Sequence, residues 1–95
     1  MHHEKIITRP NGDKIRIDVY LQIDMNSLFW RTIISICGKG KRKYNNPVDT
    51  DSYSFRRLSM PDREKNITEQ QLKIVTAEEL LSAKNELWEK LKPQI

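Results

Sequence analysis

The sequence has one cysteine, two histidines, three glycines and four prolines in 95 residues, and each scarcity closes off a class of protein. Cys37 alone permits neither an internal disulfide nor a multi-cysteine metal site, and it suits a reducing compartment. The histidines are adjacent, His2 and His3, on what reads as a frayed terminus with no third ligand near them. Histidine-based acid–base or triad chemistry therefore has no residue to use. So few glycines and prolines exclude collagen-like and low-complexity chains. No run of 18 apolar residues is present, and mean hydropathy is -0.73, which excludes a helical membrane span. Met1 to Lys5 lack the apolar stretch of a signal peptide, so a cytoplasmic protein is expected.

What is present is charge, and it is unevenly placed. The formal net charge is +4. Residues 1–58 hold 11 Lys/Arg against 6 Asp/Glu, whereas residues 59–95 hold 6 against 7. A one-sided excess points to an anionic partner more strongly than a uniform one does. The length fits one domain over 1–95: a β-meander over 1–46, a loop or short element over 47–58, and a helical part over 59–95.

Alternation carries the strand predictions. Ile15, Ile17, Val19, Leu21 and Ile23 point one way, and Lys14, Arg16, Asp18, Tyr20 and Gln22 the other. Asn11-Gly12 before this run reads as a two-residue type I′ hairpin loop. That loop sets Ile6 opposite Ile17, Thr8 opposite Ile15 and Lys5 opposite Asp18. A third strand is predicted from about Leu28 to Cys37, with Leu28, Trp30, Thr32, Ile34 and Ile36 on one face. Phe29, Arg31, Ile33, Ser35 and Cys37 take the opposite face. Gly38-Lys39-Gly40 breaks this strand, and Lys41 to Asn46 reads as a polar fourth strand at an edge. Pro47 to Ser52 reads as loop, and Tyr53 to Leu58 is compatible with strand or a helical turn.

Two helices are predicted to follow. Ser59 would cap the first, with Pro61 in its first turn, Asp62 at capping-box spacing, and Met60, Ile67, Gln71, Ile74 and Val75 on one stripe. Thr76-Ala77-Glu78-Glu79 is a capping box for the second. Its stripe is Ala77, Leu80, Leu81, Lys84, Leu87, Trp88 and Leu91, with the Lys84 ammonium reaching water. Glu86 and Lys90 have the spacing of a helical ion pair, and Pro93 ends the element. The fold class expected is α+β: an antiparallel meander of three or four strands, with one or two C-terminal helices packed on one face.

Chemistry-bearing motifs are weak. Gly38-Lys39-Gly40-Lys41 lacks the spacing and the following Ser/Thr of a phosphate-cradling loop. Asp49 and Asp51 echo calcium ligands without the required glycine and glutamate. Cys37 near lysines is better read as a packed thiol than a nucleophile. No catalytic residue, metal ligand or cofactor is assigned, and the expectation is a non-enzyme.

The feature that remains is a basic turn. Lys39, Lys41, Arg42 and Lys43 are followed by Tyr44, with Arg56 and Arg57 joining them if residues 53–58 return beside the sheet. Such a group can neutralise phosphates while a tyrosine stacks on a base. The same residues also suit a solvated turn that blocks aggregation. Phe29, Arg31 and Ile33 form a second candidate, an interface for a protein partner or a homodimer if no helix covers them.

The ending Val75-Thr76-Ala77-Glu78-Glu79-Leu80, Ala83-Lys84-Asn85-Glu86-Leu87-Trp88 and Leu91-Lys92-Pro93 resembles the tails of small accessory proteins of bacteriophages and mobile elements. The resemblance covers about a fifth of the chain and brings no site residue. It implies a protein that modulates a host system by binding. The function expected is a non-catalytic binding or regulatory protein whose basic turn meets nucleic acid or an acidic protein surface. The alternative is an inhibitor or adaptor that binds a host protein through a sheet edge or the Phe29/Ile33 face.

Overall fold

In a computed structural model, residues 1–24, 27–49, 53–56, 67–91 and 93 are described. Strands β1 (His2–Thr8), β2 (Lys14–Asp24) and β3 (Ser27–Cys37) form an antiparallel meander, and β4 (Asn45–Asp49) and β5 (Tyr53–Arg56) both pair antiparallel with β3. Since β2 occupies one edge of β3 along its length, β4 and β5 share the other, β4 beside Ile33–Ile36 and β5 beside Ser27–Trp30. Helices α1 (Glu69–Leu72) and α2 (Ala77–Leu91) follow. The architecture is α+β, with α2 on one face of the meander.

The apolar half of the β2 alternation is buried at Ile15, Ile17, Val19 and Leu21, but Asp18, expected on the water face, is buried as well, held by His2 and Arg16. The apolar residues meet Leu80, Ala83, Leu87 and Leu91 of α2, with Ile34 and Val75 completing the buried cluster. A half-buried sheet and a helical stripe each have one apolar face, and stacking them removes both from water.

The hairpin register differs from the predicted one by a residue. The pairs are Ile7↔Ile15, Ile6↔Arg16 and Lys5↔Ile17. Pro10 is the cause. A two-residue loop would make Pro10 and Asp13 the closing pair, and proline has no amide to donate. Arg9 N instead donates to Asp13 O at 2.8 Å, and Gly12 N donates to Arg9 O at 2.9 Å. The loop is thus the three residues Pro10-Asn11-Gly12, with Gly12 left-handed at φ +96°. A one-residue slip moves every side chain to the other face. Ile6 is consequently 51% exposed, while His3, Lys5, Ile7 and Arg9 turn toward α2.

The N-terminus is not frayed. β1 begins at His2, which pairs with Tyr20, and the Met1 ammonium donates to Leu21 O at 2.7 Å. The eleven residues of β2 supply a template longer than Ile6–Thr8 alone can fill.

The polar run Lys41–Tyr44 is loop, and β4 at Asn45–Asp49 takes the last two residues of the predicted fourth strand and continues into the segment read as loop. Tyr53–Arg56 is strand. In the stretch predicted as the first helix, Ser59, Met60, Pro61 and Asp62 lie outside the described residues. Among those described, α1 is a single turn capped by Thr68, whose side chain accepts from Gln71 N at 3.2 Å. Gln71 is buried and donates its Nε2 to Thr32 O at 3.1 Å, which ties this turn to β3.

The capping box of α2 forms in both directions. Glu79 N donates to Thr76 Oγ1 at 3.1 Å, and Thr76 N donates to Glu79 Oε1 at 2.9 Å. Two details of the stripe change. Ala83, not Ala77, is buried, and Lys84 is 1% exposed, so its ammonium does not reach bulk water. Position 84 lies one turn from both Leu80 and Leu87 at the centre of the packed face, where no route to the helix rim is open.

A candidate anion-binding surface at the basic turn

The register that closes the hairpin also builds the basic end of the sheet. Lys14 opens β2 and pairs with Cys37, which ends β3, so the 9–13 loop and the 38–44 segment lie side by side. Lys39 N donates to Asp13 Oδ1 at 3.1 Å, and the Lys39 stem lies over Gly12, where an added Cβ would come within 2.8 Å of its Cδ. Lys41 N donates to Gly38 O at 2.9 Å, and Gly40 takes φ +76°, so the glycines form a reverse turn that side-chain-bearing residues resist. From beneath, the buried Cys37 thiol donates to Lys41 O at 3.0 Å. That contact assigns the cysteine a structural role.

This frame leaves Lys39, Lys41, Arg42 and Lys43 exposed. Tyr44 is half-buried, with the Arg16 guanidinium 4.6 Å above its ring centroid. Two residues therefore join the surface that charge counting along the chain did not single out: Arg16, through Tyr44, and the exposed Lys14, through its pairing with Cys37. Their signal was the outward half of the β2 alternation, read as solvation only.

Arg56 does not join it. Its backbone pairs with Ser27 at the opposite end of β3 from Cys37, ten steps or about 33 Å away. Arg57 lies outside the described residues. Of the second candidate group, Arg31 is exposed and Ile33 half-buried, both on the face away from α2, and the backbone of Phe29 pairs with Gln22 and Ser54. Asp49 is a strand residue paired with Ile33, and Asp51 lies outside the described residues. Among the described residues no three His, Cys, Asp or Glu converge as metal ligands.

The helix side of the sheet shows why the positive charge collects where it does. Arg9 binds Glu79 with two hydrogen bonds of 2.7 and 2.9 Å and donates a third to Ile74 O. Lys5 donates to Glu86 and Ser82, each at 2.9 Å. His3 contacts Glu86 through Nε2 at 2.8 Å and Lys90 through Nδ1 at 2.9 Å. A carboxylate only accepts and an ammonium only donates, so this geometry puts the imidazole proton on Nε2. The Arg9 guanidinium holds the Glu79 carboxyl below its ordinary range, and Lys5, then His3, does the same for Glu86. Glu86, expected to pair with Lys90 along the helix, thus reaches across to β1. The acids of α2 neutralise the inward cations of β1 and the loop. Lys14, Lys39, Lys41, Arg42 and Lys43 form no ion pair among the described residues.

The chain matches no family model, no curated protein and no solved structure. Among the described residues no helix is long and apolar enough to cross a membrane.

Proposed function

We propose that this chain is a small non-catalytic binding protein that engages nucleic acid through the basic end of its sheet. The observation that carries this reading is the segregation of charge: inward cations are matched by Glu79 and Glu86, and five exposed cations are left together at one end. Phosphates at that end would be met by Lys14, Lys39, Lys41, Arg42 and Lys43 on a glycine-hinged turn braced from below by Cys37. An acidic protein surface is the neighbouring possibility for the same residues. The setting is a cytoplasmic accessory protein of the phage and mobile-element type.

The test is anisotropy with labelled oligonucleotides across a salt series. Neutralising three or four phosphates gives a slope of about -3 in log affinity against log salt. Replacing Lys41, Arg42 and Lys43 by alanine removes most of that slope and leaves the fold intact. Failure to bind single- or double-stranded DNA or RNA at low salt overturns the reading. The exposed Ile6 on edge strand β1 supports a second reading, a host-protein inhibitor or adaptor docking at the sheet edge. That reading requires a specific protein captured by the wild type and lost on Ile6→Asp.

A further inference from the structure

The face of the sheet away from α2 carries two rings that the basic turn does not use. His2 of β1 and Tyr20 of β2 are directly paired, and their rings stack at 4.5 Å between centroids with an interplanar angle of 15°. Both are accessible: the His2 side chain is 42% exposed and Tyr20 is 38% exposed. The stack is held in place. His2 Nε2 contacts Asp18 Oδ1 at 2.9 Å, and the other oxygen of Asp18 accepts from Arg16 Nε at 3.0 Å. Arg16 in turn covers Tyr44 beside the basic turn. One row of side chains thus runs along this face from the basic end to the ring pair: Lys14, Arg16, Asp18 and Tyr20 on β2, about 20 Å in six residues.

The charge of this row suits a polyanion. Asp18 is 6% exposed and held between His2 and Arg16, so it presents little negative potential at the surface. Exposed Lys14 opens the row at the basic end, and Glu4 is an exposed carboxylate beside it. Fixed, accessible rings beside a cationic track serve a ligand whose base faces are free. A duplex hides those faces in its own stack, whereas a single strand offers them.

We infer that the ligand of this surface is single-stranded nucleic acid, with bases stacking on the His2–Tyr20 pair and phosphates running toward Lys14 and the basic turn. This inference rests on the nucleic-acid reading above and names the form of nucleic acid it takes.

The experiment compares the full chain binding a fluorescent twelve-residue oligothymidylate and a duplex of equal length. The expected result is tighter binding of the single strand. Tyr20→Ala should weaken that binding about tenfold, because stacking on one ring is lost. It should leave the salt slope unchanged, because no phosphate contact is lost. Tyr20→Phe keeps the ring and should restore the affinity, and unchanged circular dichroism of Tyr20→Ala excludes misfolding as the cause. Equal or tighter binding of the duplex, or single-strand affinity indifferent to Tyr20→Ala, overturns this inference while leaving the broader reading in place. Absence of binding to both probes and to their RNA counterparts at low salt overturns both.

Discussion

Arg9 and Glu79 join the hairpin loop to the start of α2 by two hydrogen bonds of 2.7 and 2.9 Å, seventy residues apart in the chain. Glu79 also closes the capping box on Thr76, so one carboxylate fixes the helix start and its place on the sheet. Arg9→Met removes both bonds to Glu79 and the one to Ile74 O, and should cost about 2 kcal/mol in urea denaturation. A loss below about 0.5 kcal/mol would place the pair with ordinary exposed ion pairs and refute its role as a clamp.

Acid should weaken the domain through the same contacts. Glu79 and Glu86 both have their carboxyl pKa lowered in the folded chain, by Arg9 and by Lys5 with His3 respectively. A lowered folded value means the unfolded chain binds protons first as pH falls. The stabilisation is therefore complete above the ordinary carboxylate range and is lost as pH drops through the lowered values. Tm should hold near neutral pH and fall toward about pH 3. In a Glu79→Gln, Glu86→Gln double variant that fall should be shallower, with Glu79 giving the larger share because Glu86 is more exposed. An identical pH profile in the double variant contradicts the assignment.

Gly12 and Gly40 separate backbone strain from crowding. Both have positive φ, +96° and +76°, but an added Cβ at Gly12 would meet the Lys39 stem at 2.8 Å, while at Gly40 nothing lies within 4 Å. Each alanine should cost about 1 kcal/mol for the left-handed backbone. Gly12→Ala should cost more, since Lys39 must also move. Equal stabilities of the two variants would show that the Lys39 stem yields freely.

The Cys37 thiol is buried and bonded to Lys41 O, so it should react slowly with an aromatic disulfide reagent in the native chain and at once in urea. Rapid native labelling would show that the turn opens readily, contrary to the bracing described.

Lys14 tests the added part of the basic surface. Lys14→Ala should lower nucleic-acid affinity across sequences and reduce the salt slope by up to about 1. Replacing Arg56, about 33 Å along β3, should leave the slope unchanged. A reversal of these two results would move the site to the other end of the sheet.

How much was legible follows the range of the interactions. The capping box of α2 was readable because its bonds join Thr76 and Glu79, three residues apart, and helix geometry fixes the distance. The core face of β2 was readable because a pleated strand alternates whatever its neighbours. The hairpin register turned on one missing amide. Asn11-Gly12 is a strong turn signal, but Pro10 beside it cannot close the pair that turn requires.

The sequence by itself determined the α+β class, the core face of β2, the capped helix that covers it, and the concentration of charge between Lys39 and Lys43. These rest on local periodicity and on formal charge, which need no knowledge of distant contacts. Only the tertiary structure decided which cations remain exposed. Strand pairing brings Lys14 and Arg16 to the turn and leaves Arg56 at the far end. Packing of α2 sets Glu79 and Glu86 against Arg9 and Lys5. The physical reason is that charge is neutralised by what lies a few ångströms away in space, and the partners here are 70 and 81 residues away along the chain.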